Sequence, residues 1–331
     1  MTNEIIAVID CDEIAYKIAA ACEKVSIKVT NVKNSQQSSF KHRTELKKFL
    51  EGLEVPEDFY VVEDVQEPEP IASAIHSVKS RLKTIKDQCK ATKTELYISG
   101  KNNFRDAILL PTKYKSDRED NLRPVLLTEL RQYLVDKQGA IVVNDEEVDD
   151  VCCHRMWDGY MSKQKIIGVT TDKDACSNMG WLYNPDKMTE PTFINGLGSL
   201  WLETKINGKG KEESKVRGIG RKFGYAQWCY GDPTDTYNPS EIAKVRYGEK
   251  SAYKLLEPLQ TDKECIQAIY DLYKTWYPAE VKYTAWTGEE ITTNAIGIMQ
   301  MYFDCYKMRR WLGDAIKVTD ILDKMGIEYE N

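Results

Sequence analysis

The sequence of 331 residues predicts an α/β protein: a central, mainly parallel sheet flanked by helices, followed by a helical C-terminal region. Three observations carry this. Short apolar runs rich in β-branched residues recur, among them Ile5-Ile6-Ala7-Val8-Ile9, Ala140-Ile141-Val142-Val143 and Lys165-Ile166-Ile167-Gly168-Val169; such runs read as buried strands. Segments of helical periodicity separate them, the alternation that builds a parallel sheet. Each run leads into acidic residues, and open α/β sheets place their ligands at the carboxyl ends of strands.

After the first strand, Glu13 to Cys22 reads as a helix with alanine and isoleucine on one side. Val25 to Thr30 alternates apolar and polar, a strand with one exposed face. Asn34 to Ser39 is a polar loop, Glu45 to Gly52 a helix, and Phe59 to Val62 another strand. Pro68 to Pro70 breaks the chain before an amphipathic helix, Ile71 to Gln88, and Glu95 to Ser99 is a short core strand. Pro124 opens a helix that runs to Lys137, as proline does at a first turn. A helix from about Val148 to Tyr160 follows the strand at Ala140. Trp181-Leu182-Tyr183 and Thr192-Phe193-Ile194 are short strands, and Leu200 to Lys205, Asn207-Gly208-Lys209-Gly210 and Lys215 onward read as a hairpin. Gly218-Ile219-Gly220-Arg221-Lys222 fits neither dinucleotide nor P-loop spacing and reads as a turn. Tyr247-Gly248 is a turn entering a helix through Leu256, whose first N–H groups could hold a phosphate. From Thr261 the chain is mostly helical, with Trp276 and Trp311 as core anchors.

The formal net charge is −6, whereas a nucleic-acid binder usually carries a basic surface. Cations bound to an acidic site would offset part of that charge, and a basic stripe can coexist with a negative total. The nine cysteines are scattered without a C-x-x-C pair, which argues against a disulfide framework and a thiolate zinc site and for buried free thiols. No apolar run is long enough to span a bilayer, and Met1-Thr2-Asn3-Glu4 lacks a basic n-region, so a cytoplasmic protein with no membrane partner is expected.

Four distant segments carry the chemistry. Asp10 and Asp12 follow the first strand; Glu147, Asp149 and Asp150 follow the strand at Ala140. Asp172 and Asp174 follow the strand at Lys165, and Asp232 and Asp235 follow Tyr230-Gly231. Each group taken alone is also explained by a helix N-cap, helix-dipole complementarity or a turn. Brought together, unpaired carboxylates would raise each other's pKa, and divalent cations with oxygen ligands remove the conflict. The expectation is therefore a two-metal site that cleaves phosphodiesters. Lys101 to Arg123 adds Lys101, Arg105, Lys113, Lys115, Arg118 and Arg123, with Phe104 and Tyr114 among them. Aromatics between cations suit a phosphate backbone and unstacked bases, although a solvated charged loop has the same composition.

These motifs, in this order, resemble the 5′-nucleases of the flap-endonuclease superfamily, which include bacteriophage 5′→3′ exonucleases and the 5′-nuclease domain of bacterial DNA polymerase I. Asp10 resembles the first-strand aspartate. Phe104-Arg105 with Tyr114-Lys115-Ser116-Asp117-Arg118 resembles the segment that approaches the scissile phosphate. Glu147-Val148-Asp149-Asp150 resembles Glu-x-Asp-Asp, Asp172-Lys173-Asp174 resembles Asp-x-Asp, and Gly231 to Asp235 resembles Gly-Asp-x-x-Asp. Gly248-Glu249-Lys250-Ser251-Ala252 is similar to the second half of a helix-hairpin-helix that grips duplex DNA. Two departures stand out: no acid follows Ser99-Gly100, where the family usually has one, and the hairpin's first glycines are replaced by Asn238 to Tyr247, where some members hold K+.

The resemblance implies a PIN-like nuclease core over residues 1–230, with a basic arch segment at about 101–123, and a helical DNA-binding region over 231–331. It implies a 5′→3′ exonuclease or flap endonuclease acting in phage DNA replication or recombination, in the host cytoplasm if phage-encoded. Two Mg2+ ions, with Mn2+ able to substitute, would be held by Asp10, Glu147, Asp149 and Asp150 on one side and by Asp172, Asp174, Asp232 and Asp235 on the other. Lys115 and Arg118 would offset phosphate charge, and Arg105, Tyr114, Lys115, Arg118, Gly248, Lys250 and Ser251 would contact DNA. The implied partners are duplex DNA with a 5′ end or flap, RNA–DNA hybrid, and replication proteins. Two rivals use the same residues: a haloacid-dehalogenase-like phosphatase built on Asp10-x-Asp12, and a non-catalytic DNA-binding homologue.

Overall fold

The structure, a computed structural model, describes residues 4–53, 59–118, 122–208 and 210–330. In chain order these form β1 (Ile6–Asp10), α1 (Cys11–Ala21), β2 (Glu23–Asn31), β3 (Gln37–Phe40), α2 (Arg43–Glu51), β4 (Tyr60–Pro68), α3 (Ile71–Gln88) and β5 (Lys93–Ser99). There follow α4 (Leu127–Gln138), β6 (Ile141–Val143), α5 (Val148–Ser162), β7 (Ile166–Val169), β8 (Gly180–Tyr183), β9 (Thr192–Ile194), β10 (Ser199–Ile206) and β11 (Glu212–Ile219). The remainder is α6 (Arg221–Tyr230), α7 (Glu249–Leu256), α8 (Asp262–Trp276), β12 (Val281–Thr284), β13 (Glu290–Thr293), α9 (Ala295–Tyr306) and α10 (Val318–Met325). The chain divides into two units: Met1–Asp10 with Ile85–Asn121 and Ala140–Asn331, and Cys11–Thr84 with Leu122–Gly139.

The first unit holds the six-stranded sheet, in the order β6-β5-β1-β7-β8-β9. All pairings are parallel except that of β9 with β8. The chain builds outward from β1 through β5 and β6, then crosses to β7 on the other side. That reversal beside β1 is the topological switch point at which such sheets bind ligands. Every residue of β1 is buried, as an apolar strand flanked on both sides requires. Gly168 in β7 makes a close approach possible: an added Cβ would lie 2.5 Å from the sulfur of Met156 on α5. With only a hydrogen there, α5 lies tight on the strand, and its first turn reaches the carboxyl end of the sheet.

The helices after β11 enclose an aromatic core around Trp228, Tyr273 and Tyr302, all fully buried. Two of its polar edges are satisfied: the Trp228 indole N–H donates to the Met299 carbonyl at 2.9 Å, and the Tyr273 hydroxyl donates to the Trp228 carbonyl at 2.7 Å. The second unit contains the antiparallel sheet β3-β2-β4, on which α2 packs Leu46 against Ile27 and Val29.

The α/β architecture and its strand positions agree with the sequence reading. The differences have local causes. Residues 37–40, within the expected polar loop and just beyond it, form β3, because backbone pairing with β2 needs no apolar side chains. Helix α4 begins at Leu127, after a turn closed by the Leu127 N–H on the Pro124 carbonyl. Gly220, at φ 81°, is the N-cap of α6, a helix whose buried sequence carries no amphipathic period. The hairpin β12–β13 interrupts the expected helical tail. Trp276 packs against Tyr247 and Tyr273, whereas Trp311 is about half exposed, with the Arg310 guanidinium 4.3 Å from its ring. Eight of the nine cysteines are buried free thiols, and Cys176 is partly so. No helix of the described residues is long and apolar enough to cross a membrane.

Candidate metal centre

Asp10 closes β1 and is buried. Asp149 lies in the first turn of α5, where the Thr170 hydroxyl at the end of β7 donates to it at 3.1 Å. The same hydroxyl accepts from the Asp172 N–H at 3.0 Å, and Asp172 in turn accepts from the Asp174 N–H at 2.8 Å. These local bonds coil the chain after β7 so that Asp172 and Asp174 face one region. Asp232 caps and Asp235 ends a short 3-10 turn, pinned by reciprocal backbone bonds between Asp232 and Tyr237 at 3.0 and 3.2 Å. Oxygens of Asp174, Asp232 and Asp235, all buried, lie within 4.8 Å of one another.

The electrostatics link these groups into one cluster. Burial, then the charges of Asp10 and Glu147, push the Asp149 carboxyl well above its usual range. Burial, then Asp174 and Asp149, do the same to Asp172. Asp235 is raised by burial and by Asp174, Asp232 and Glu147, with Lys115 opposing. Acids that are scattered along the chain therefore sense each other across one site, the condition under which a bound cation is favoured. The donors are carboxylate oxygens with no imidazole or thiolate among them, a set that suits Mg2+ or Mn2+.

Cations of the chain itself already sit among these acids. Lys115 is ion-paired with Glu147 and lies 3.7 Å from Asp235. Its backbone is left-handed, at φ 55°, and is held there by its N–H on the Asp235 carbonyl at 3.1 Å. Lys173 is ion-paired with both Asp174 and Asp232. The Gln227 side-chain amide, fully buried on α6, donates to Asp174.

Three expected roles are not what the side chains provide. Arg105 is wholly buried. Its guanidinium donates to Asp150 at 2.6 and 3.1 Å, to Glu147 at 3.1 Å, and to the carbonyls of Cys305 and Lys307, so it offers no face to DNA. Asp150 is equally buried and accepts a further bond from the Arg309 N–H at 2.9 Å. Burial alone would raise its carboxyl, but Arg105 holds it below the usual range; its oxygens serve Arg105 rather than an ion. Tyr114 is buried, with its hydroxyl on Asp235 at 3.0 Å, and has no ring face for a base. Gly248, Lys250 and Ser251 are exposed at the start of α7. The side chain of Arg118 lies outside the described residues, as do residues 119–121 and Lys209. Asp12 is ion-paired with Arg131. Lys173 was visible in the sequence between two motif aspartates. Gln227 carried no signal, because its helix carried none.

No protein-family model and no curated protein sequence matches the chain. Among solved structures, it is similar to the D15 protein of bacteriophage T5 crystallised with metal ions, at a TM-score of 0.47 and 12% identity over 97% of each chain. It is similar to a T5 D15 flap endonuclease variant complexed with DNA and metal ions, at 0.45 and 12% over 97% of this chain and 96% of that one. It is also similar to the T5 5′-exonuclease with bound zinc, at 0.43 and 13% over 97% of each chain.

Proposed function

We propose that this chain is a metal-dependent nuclease of the 5′-nuclease superfamily that hydrolyses DNA phosphodiester bonds at 5′ ends or flaps. The observation that supports it most is that oxygens of Asp174, Asp232 and Asp235 lie within 4.8 Å of one another, with Asp10, Asp149 and Asp172 linked to them electrostatically. So many buried acids are costly unless cations share them. Asp10, Glu147 and Asp149 would form one ligand set, and Asp172, Asp174, Asp232 and Asp235 the other. When bound, two divalent cations supply an activated water and charge to stabilise the leaving oxygen.

The chain's own residues do the rest. Arg105 and Asp150 form a buried strut that fixes Glu147. Lys115, tethered by Glu147 and Asp235, places a positive charge between the two ligand sets, where a scissile phosphate would carry its negative charge. The exposed N-terminus of α7, with Lys250 and Ser251, would hold a backbone phosphate of the duplex. The 5′ polarity rests only on the resemblance of these motifs to those of the 5′-nucleases. The phosphatase alternative needs Asp12 free beside Asp10, and its pairing with Arg131 weighs against it.

End-labelled duplexes and flaps, incubated with Mg2+ or Mn2+ and with a chelator, test the reading. Cleavage from the 5′ end that the chelator stops is expected. Asp172→Asn should lose that cleavage and keep DNA binding; a variant that still cuts overturns the assignment.

A further inference from the structure

Resting on that reading, we propose that Lys173 is a resident counter-ion of the Asp174–Asp232–Asp235 ligand set, which a divalent cation must displace in order to bind. The residue between the two aspartates of an Asp-x-Asp pair has no direct part in holding a metal. Here it is a lysine whose ammonium lies 2.9 Å from an Asp174 oxygen and pairs also with Asp232. Both carboxylates are about 4% exposed, whereas the lysine side chain is 30% exposed. The acids are thus committed to the interior, and the cation that neutralises them has a way out.

The third acid of the set is served by other groups. Asp235 accepts from the Tyr114 hydroxyl and lies 3.7 Å from the Lys115 ammonium. Asp174 also accepts from the Gln227 amide, on the same oxygen that Lys173 contacts. Lys173 is the more solvent-exposed of the two lysines that pair with this set, at 30% against 18% for Lys115. An ammonium seated on these oxygens repels an incoming divalent cation and occupies part of the space its coordination needs, so the two compete for the same oxygens. The four-carbon stem lets the ammonium swing toward solvent without moving the backbone. Without metal, the lysine keeps the acids together. With metal, it is expelled, and the affinity of the set is lowered by the competition.

The test is metal binding rather than cleavage. Mn2+ titration by calorimetry compares the wild-type protein with Lys173→Met, which keeps the stem and removes the charge. The variant should bind Mn2+ at least about tenfold more tightly and should melt at a lower temperature than wild type in chelator. Lys173→Gln repeats the comparison if the methionine variant does not fold. A second measurement needs no variant: acylation of Lys173 by an N-hydroxysuccinimide ester, followed by mass spectrometry, should speed up when Mn2+ is added. Equal or weaker Mn2+ binding by the variants, or an unchanged acylation rate, overturns the role of Lys173 and leaves the metal site standing. A wild-type protein that binds no Mn2+ overturns both.

Discussion

Arg105 shows what a motif conveys and what it leaves out. The sequence places an arginine beside a phenylalanine in a basic stretch, which is a fair description of a DNA contact. The fold turns it inward, because Asp150 is fully buried and needs a partner with several donors. Which way a side chain points depends on acids some 45 positions along the chain, and no local pattern encodes that. The acids themselves were legible, since carboxylates that follow apolar strands are visible as residue types. The buried pair makes a clear prediction. Arg105→Met leaves Asp150 uncompensated and should cost about 3–5 kcal/mol, with Arg105→Met/Asp150→Leu recovering most of it. Urea unfolding in chelator measures both. A single variant within about 0.5 kcal/mol of wild type would mean that the Arg309 N–H is enough to hold Asp150.

Elements position these residues more sharply than their sequences suggest. Strands β1, β6 and β7 were legible because apolar β-branched runs have few other uses. Helix α6 was not: it is buried nearly all round, and periodicity reports a helix only when one side meets water. Its end matters for the site. Gly231 terminates α6 at φ 81°, and an added Cβ would lie 2.3 Å from the Tyr237 carbonyl. That carbonyl accepts the Asp232 N–H, so the glycine sets the turn that presents Asp232 and Asp235. Gly231→Ala should weaken Mn2+ binding about ten- to a hundredfold, as for outer-shell changes, and cost roughly 1–2 kcal/mol for the left-handed backbone. Gly248→Ala is the matched control. Its φ is −146° and an added Cβ meets nothing within 4 Å, so Mn2+ binding should not change. Equal behaviour of the two variants would detach the Gly231 turn from the site.

At the scale of the whole molecule, the cluster ties stability to pH and metal. The carboxyls of Asp149, Asp172 and Asp235 are raised above 3.8 by burial and by neighbouring acids. A raised acid favours the fold while protonated; that contribution is complete below 3.8 and is lost as pH climbs through the raised value. The metal-free protein should therefore be penalised by these three groups toward neutral pH. Metal ligands must be deprotonated, so the stabilisation a cation brings grows over the same range, reaching about 2.7 kcal/mol at a hundred times its dissociation constant. Two further perturbed carboxyls belong to other parts of the chain. Asp304 is pushed up to about 6 by burial, while Asp262 is held below the usual range, burial opposing and Arg221 prevailing. They act alike with and without metal and cancel in the difference. The quantity to measure is thus the melting temperature in Mg2+ minus that in chelator, from pH 5 to pH 8. It should widen steadily with pH, more for wild type than for Asp172→Asn. A gap that stays flat or narrows would mean that the acids at the switch point do not exchange their protons for a cation.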